Sequence, residues 1–198
     1  MFNITNEQDI QFLMDTGGQK VLIDAVETVA LITNAELGEV ECRHIHTLEP
    51  VTQGSYIKVN EETYLNVTEN TTMRNNKYKT KIQHCNYVIE VAGEIEEVLM
   101  RDKDGNIVYD KFGDEVYIQV QGDSISVPSI VKEDKSFSIN GTQLLVANYQ
   151  INVTVKDNEV NLTKFAVNNA FKLMDEEWKV RNHNRTRKGL LILICEKQ

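Results

Sequence analysis

The sequence predicts an all-β protein: two small, related barrel- or sandwich-like domains, a short leading helix and a β-hairpin insertion. Three observations carry that expectation. From Lys20 onward the apolar residues recur mostly every second position, which is the spacing of strands. Clusters of Gly, Asn and Asp cut the chain into short segments, as in sandwiches and small barrels. One stretch occurs twice: residues 56–67 resemble residues 171–180, with one extra residue in the first copy. Each is an aromatic, a short strand, an acidic turn, a second aromatic and a strand. A hairpin of this kind packs two aromatics on one core, and the reading is a duplicated unit.

The elements follow in order. Residues 5–16 form a helix: Thr5 or Asn6 caps it, Ile10, Leu13 and Met14 make a stripe, and Gly17-Gly18 ends it. Residues 20–32 read as one strand or a bent pair, and 40–48 as a strand that Pro50 and Gly54 separate from the next. Strands at 56–59, 63–68 and 78–91 follow. Lys103-Asp104-Gly105-Asn106 is a hairpin turn between 98–101 and 107–109, with Gly105 supplying a positive φ. Residues 116–120 and 124–127 pair across Gln121-Gly122-Asp123, and Asn140-Gly141 is the next turn. Strands are then expected at 144–155, 159–167, 171–174, 178–182 and 190–195. The implied division is 1–92 for the first domain with its helix, 93–125 for the hairpin insertion and 126–198 for the second.

Composition narrows the function classes. The 198 residues are 41% hydrophobic and 26% charged, ordinary for a folded chain. The net charge of -9 is the wrong sign for gripping duplex DNA, although like charge suits a surface past which DNA slides. No apolar run approaches the ~20 residues of a membrane helix, and Glu7, Asp9 and Asp15 do not suit a secretory signal peptide. Cys42, Cys85 and Cys195 are an odd number at wide spacing, which reads as reduced thiols rather than a disulfide framework.

Chemistry-bearing constellations are few. Cys42, His44 and His46 share a strand face, and with His84 or Cys85 they have the ligand types for zinc. The tight Cys-x-x-Cys spacing is missing, so a structural strand is the expectation, without metal or cofactor. His84 and Cys85 are adjacent, so they point to opposite faces and do not pair. Glu61-Glu62, Glu94, Glu96, Glu97 and Asp175-Glu176-Glu177 lie at turn tips, where solvated charge is ordinary. No Gly-x-Ser-x-Gly, Walker loop, Gly-x-Gly-x-x-Gly or His-Glu-x-x-His occurs, and no enzymatic activity is expected. Two stretches are candidates for contact with other molecules: the basic loop with Arg181, Arg185, Arg187 and Lys188, and the insertion tip Lys103, Asp104, Gly105 and Asn106.

Residues 54–65, beginning Gly54-Ser55-Tyr56-Ile57, resemble a segment of the head-closure, or stopper, neck proteins of long-tailed bacteriophages of Gram-positive hosts. Ile45-His46-Thr47 and residues 79–86, with their Cys85-Asn86 pair, are similar to that family as well. Ser55 departs from the family, which tends to have Asp there. The resemblance implies a small β-barrel in a homo-oligomeric ring between a portal or adaptor protein and a tail or tail-completion protein. Such a ring closes the channel near genomic DNA, within the virion, with no membrane partner. The competing expectation is a carbohydrate- or receptor-binding β-module, which needs several exposed aromatics on one face.

Overall fold

A computed structural model of the protein describes residues 7–35, 38, 40–70, 72–74, 77–93, 95–133 and 149–198. Strands make up 57% and helix 8% of it, so the fold is all-β. Helix α1, Glu7–Gly17, leads into β1, Gln19–Ile23, and β2, Val26–Asn34. Then come β3, Cys42–Thr47, β4, Tyr56–Val59, β5, Glu62–Asn66, β6, Thr72–Arg74, and β7, Lys77–His84. These strands form one antiparallel sheet in the order β3-β2-β1-β4-β5-β7-β6, and a further β3–β7 pairing closes it into a barrel. Its core is Val21, Ala30, Ile45, Val51, Ile57, Val59, Tyr64 and Ile82. All but Val51, which lies between β3 and β4, come from the strands, as a barrel interior requires.

The next elements are β8, Tyr87–Val91, β9, Ile95–Leu99, β10, Tyr117–Gln121, β11, Ile125–Glu133, and β12, Gln150–Lys156. A short helix α2, Glu159–Lys164, is followed by β13, Ala170–Leu173, β14, Glu176–Asn184, and β15, Leu190–Lys197. Six of these make a second sheet, β13-β14-β15-β12-β11-β8, while β9 and β10 pair only with each other. Met1–Ile89 and Pro128–Gln198 together form one compact unit, and Glu90–Val127 forms another.

Setting aside β6, which pairs only with β7, the two sheets have one topology. The first runs β1-β2-β3-β7-β5-β4 and the second β8-β11-β12-β15-β14-β13. The ladders match residue for residue. Tyr64↔His84, Leu65↔Gln83 and Asn66↔Ile82 correspond to Trp178↔Lys197, Lys179↔Glu196 and Val180↔Cys195. Hydrogen bonds outside the ladders repeat as well. The Gly54 amide donates to Asn66 and that of Asn66 to Ser55; the Asn168 amide donates to Val180 and that of Val180 to Asn169, all at 2.9 Å. Gly54 and Asn168 both have positive φ, +87° and +77°. The duplication therefore extends through the whole barrel, well beyond the hairpin in which the sequence displays it.

The hairpins also correct the alignment between the copies. Val59 pairs with Glu62 across Asn60-Glu61, and Leu173 with Glu176 across Met174-Asp175. Both turns are two residues long, so no extra residue is present. Ile57, rather than Tyr56, is the counterpart of Phe171. Tyr64 and Trp178 do occupy one position, and both are buried.

Several expected elements come out differently: residues 107–109 make only isolated bridges at Ile107 and Tyr109, and β10 pairs with β9 rather than with residues 124–127. Residues 159–167 contain α2, because Asn158 caps it: its Oδ1 accepts the Asn161 amide at 2.7 Å. The strand expected at 78–91 is two strands, β7 and β8, broken at Cys85-Asn86. Asn86 replaces a backbone pair there. Its Oδ1 accepts the Val131 amide at 2.8 Å and its Nδ2 donates to the Val131 carbonyl at 3.0 Å. The Thr5 or Asn6 cap, the Asn140-Gly141 turn and the start of strand 144–155 lie outside the described residues.

The barrels meet in a small second core of Leu65, Cys85, Ile130 and Leu190, with Tyr56 and Val67 against it. The Tyr56 hydroxyl donates to the Pro128 carbonyl at 2.8 Å and accepts the Lys156 amide at 3.3 Å. Lys156 also pairs with Asp24 at 2.7 Å. Beside this core the backbones touch. A Cβ on Gly54 would lie 1.8 Å from the Gly189 carbonyl oxygen, and a Cβ on Gly189 would lie 2.0 Å from that of Gln53. Only glycine fits at either position.

Candidate interaction surfaces

The unit Glu90–Val127 is an arm spliced between β8 and β11. In the first barrel the corresponding strands, β1 and β2, are joined by the two residues Asp24-Ala25. In the arm, β9 and β10 pair from Tyr117↔Leu99 to Gln121↔Ile95. Beyond them the chain makes two consecutive small turns. The Asp102 carboxylate accepts the amides of Asp104 and Asn106, both at 2.9 Å. The Asp110 carboxylate accepts those of Phe112 and Asp114, at 2.7 and 2.9 Å. These backbone donors hold both carboxyls below the usual range, chiefly through Asn106 and Asp114 respectively. Gly105 and Gly113 take φ of +86° and +91° to close the turns.

A repeat in the sequence underlies this pair. Asp102-Lys103-x-Gly105-x-x-Val108 recurs as Asp110-Lys111-x-Gly113-x-x-Val116. Each Asp anchors a turn and each Gly closes it. The Asp104-Gly105 signal reveals the first turn only; the eight-residue period reveals both.

The candidate tip residues Lys103, Asp104, Gly105 and Asn106 form the first of these turns and are exposed. The basic candidates divide. Arg181 lies on β14 and pairs with Glu196, and Arg185 pairs with Asp157 at 2.9 Å. Arg187 and Lys188 are exposed in the loop before β15. Two of the four cations are therefore held by their own barrel.

The possible metal ligands do not converge. Among the described residues, no three His, Cys, Asp or Glu side chains form a group suited to an ion. His46 is buried, with Nε2 3.1 Å from the Thr33 hydroxyl. Burial, with Lys77, Lys79 and His44 adding repulsion, lowers its pKa to about 4. His84 pairs with Glu62 at 2.6 Å and stacks edge-on against Tyr64. Tyr64 donates to Glu41 at 2.7 Å, and Arg43 lies over its ring. Cys85 and Cys195 are buried, and burial pushes both thiols up to about 12. They are poorly suited to nucleophilic work at neutral pH.

The class that this architecture defines is a duplicated, six-stranded, barrel-like all-β protein with one inserted unit. The chain belongs to the YomX family: the model of the YomX N-terminal domain matches residues 1–84 and that of the YomX C-terminal domain residues 87–196. The family is of phage type, tied to the Bacillus phage SPBc2 region, and the protein is phage-associated. No curated protein and no solved structure matches the chain.

Proposed function

We propose that the protein is a non-enzymatic structural component of the phage neck, forming a ring between portal or adaptor and tail. It would close the DNA channel and present the surface on which the tail docks, with the virion as its working location. The observation that carries this reading is the joining of a phage-type family to a duplicated β scaffold with an inserted unit, Glu90–Val127, rich in exposed side chains. Such a scaffold offers extended surface for assembly. The thiols of Cys85 and Cys195 are raised and enclosed, and Trp178 is a core residue rather than part of a binding face. The acidic balance suits proximity to DNA without adhesion. The test is mass spectrometry of purified virions, with negative-stain microscopy of the protein mixed with the portal. The protein should be present in many copies per particle and should form rings on the portal. Its absence from virions overturns the proposal.

A carbohydrate-binding reading has one observation in its favour, the exposed Tyr109, Phe112 and Tyr117 of the arm. Glycan-array binding that disappears with Phe112→Ala would support it.

A further inference from the structure

The arm is the part of the molecule whose surface the fold explains least. Two-stranded ribbons are marginal in water unless something covers them. Among the side chains described in Glu90–Val127, Val127 is the one buried position, and β10 is exposed along its whole length. Val98, Met100, Tyr109, Phe112, Tyr117 and Ile118 all stand open to solvent. A concentration of apolar side chains on one short unit marks a contact surface.

Charge says what would cover it. Ten acidic and three basic residues lie within Glu90–Val127, so the arm alone carries -7 of the chain's -9. The remainder is nearly balanced, and the loop of Arg181, Arg185, Arg187 and Lys188 is one of its two stretches with four cations in eight residues, the other running from Arg74 to Lys81. The Glu196 and Asp157 partners of Arg181 and Arg185 leave Arg187 and Lys188 exposed at its tip. The chain thus carries both halves of a complementary pair.

We propose that the arm is an intermolecular clasp, laid by one copy of this chain against the basic β14–β15 loop of the next. Apolar side chains of the ribbon supply the buried area, and the acidic side chains of the arm select the orientation. The contact joins two different patches, so it runs head to tail and closes into a ring when the rotation allows. The barrel has no need of the arm for folding, since its twin manages the same connection with Asp24-Ala25. This inference deepens the neck reading and rests on it only in supposing that many copies work together.

The test is sedimentation equilibrium on the full chain and four variants, at low and high salt. In the first variant residues 92–124 are replaced by an Asp-Ala dipeptide. The second carries Glu97→Lys, Asp104→Lys and Asp114→Lys, the third Arg187→Glu and Lys188→Glu, and the fourth all five changes. The parent chain should self-associate, more weakly at high salt. The first variant should be monomeric, and each reversal should weaken association about tenfold or more. The fourth should recover much of the loss. A monomeric parent, association that survives loss of the arm, or reversals without effect or without mutual rescue would overturn the clasp. Should the shortened chain not fold by circular dichroism, the reversals alone decide. Loss of association as expected, with no protein in purified virions, would leave the clasp standing and remove the neck reading; normal association of the variants, with protein in virions, would do the opposite.

Discussion

In the first barrel β1 and β4 pair through Leu22↔Lys58 and Ile23↔Ile57, so the sheet meets itself. In the second, β8 and β13 are the outer strands of the sheet. The same order of strands has thus been closed once and left with two edges once. The side chains diverge as much. Asn66 donates to the carbonyls of Val51 and Thr52 and accepts from Thr80, whereas its counterpart Val180 is a plain core residue. Tyr64 is tied into a polar cluster with Glu41, while Trp178 donates its indole N–H to the Leu173 carbonyl at 3.2 Å. What the copies retain is the backbone bonding of the β4–β5 and β13–β14 hairpins and the large aromatic at their centre. The repeated quantity is a frame, and the filling is free to drift.

The sharpest way to break the comparison is to empty both central positions. Trp178→Ala and Tyr64→Ala should each cost about 3–5 kcal/mol in urea unfolding. A large cost for one and a negligible cost for the other would mean that the copies do not share a central aromatic. Next in size is the glycine joint. Gly54→Ala combines a clash with the Gly189 carbonyl and a left-handed backbone, for about 2–4 kcal/mol. Gly105→Ala has the same sign of φ but open space around it, and should cost about 1–2 kcal/mol. Equal costs would deny the joint any role.

His46 separates the barrels by pH, because its counterpart in the ladder is Thr154, which does not titrate. The folded pKa of His46 is depressed to about 4 from 6.5, so the unfolded chain takes up a proton that the folded chain refuses. Stability is complete above 6.5 and falls as pH drops toward 4. Urea midpoints at pH 7 and pH 5 should therefore differ, and His46→Thr should reduce the difference. The smallest effect is kinetic. With thiols pushed up to about 12, Cys85 and Cys195 hold about a thousandfold less thiolate than an ordinary cysteine. Half-buried Cys42 should take a maleimide first, and mass spectrometry of single-label adducts would show otherwise if it does not.

Much of this was legible in residues alone. Two-residue periodicity and the Asn60 and Gly105 turns follow from local chemistry, and local chemistry is what a sequence displays. The break at Cys85-Asn86 was not, because what ends the strand is a side chain finding Val131, 45 positions away. Helix α2 reads as a strand because Val160 and Leu162 alternate, and its marker in the sequence is the Asn158 cap. The duplication appeared in about ten residues because only the β4–β5 and β13–β14 hairpins kept their spacing; elsewhere the connections changed length, most of all where the arm entered. For the interaction surfaces, the sequence marked both charged stretches but not that Asp157 and Glu196 already neutralise half of the basic one.

The contact of Gly54 with Gly189 bears on how the molecule comes apart. A joint built from side chains can be loosened by degrees, one methylene at a time. This one is backbone against backbone, and hydrogen atoms are all that stand between the chains. It has no graded failure, and the Tyr56 hydroxyl bridges both barrels beside it. Heating should therefore melt the two barrels in one cooperative step, with a calorimetric enthalpy equal to the van't Hoff value, even though each barrel has a ladder of its own.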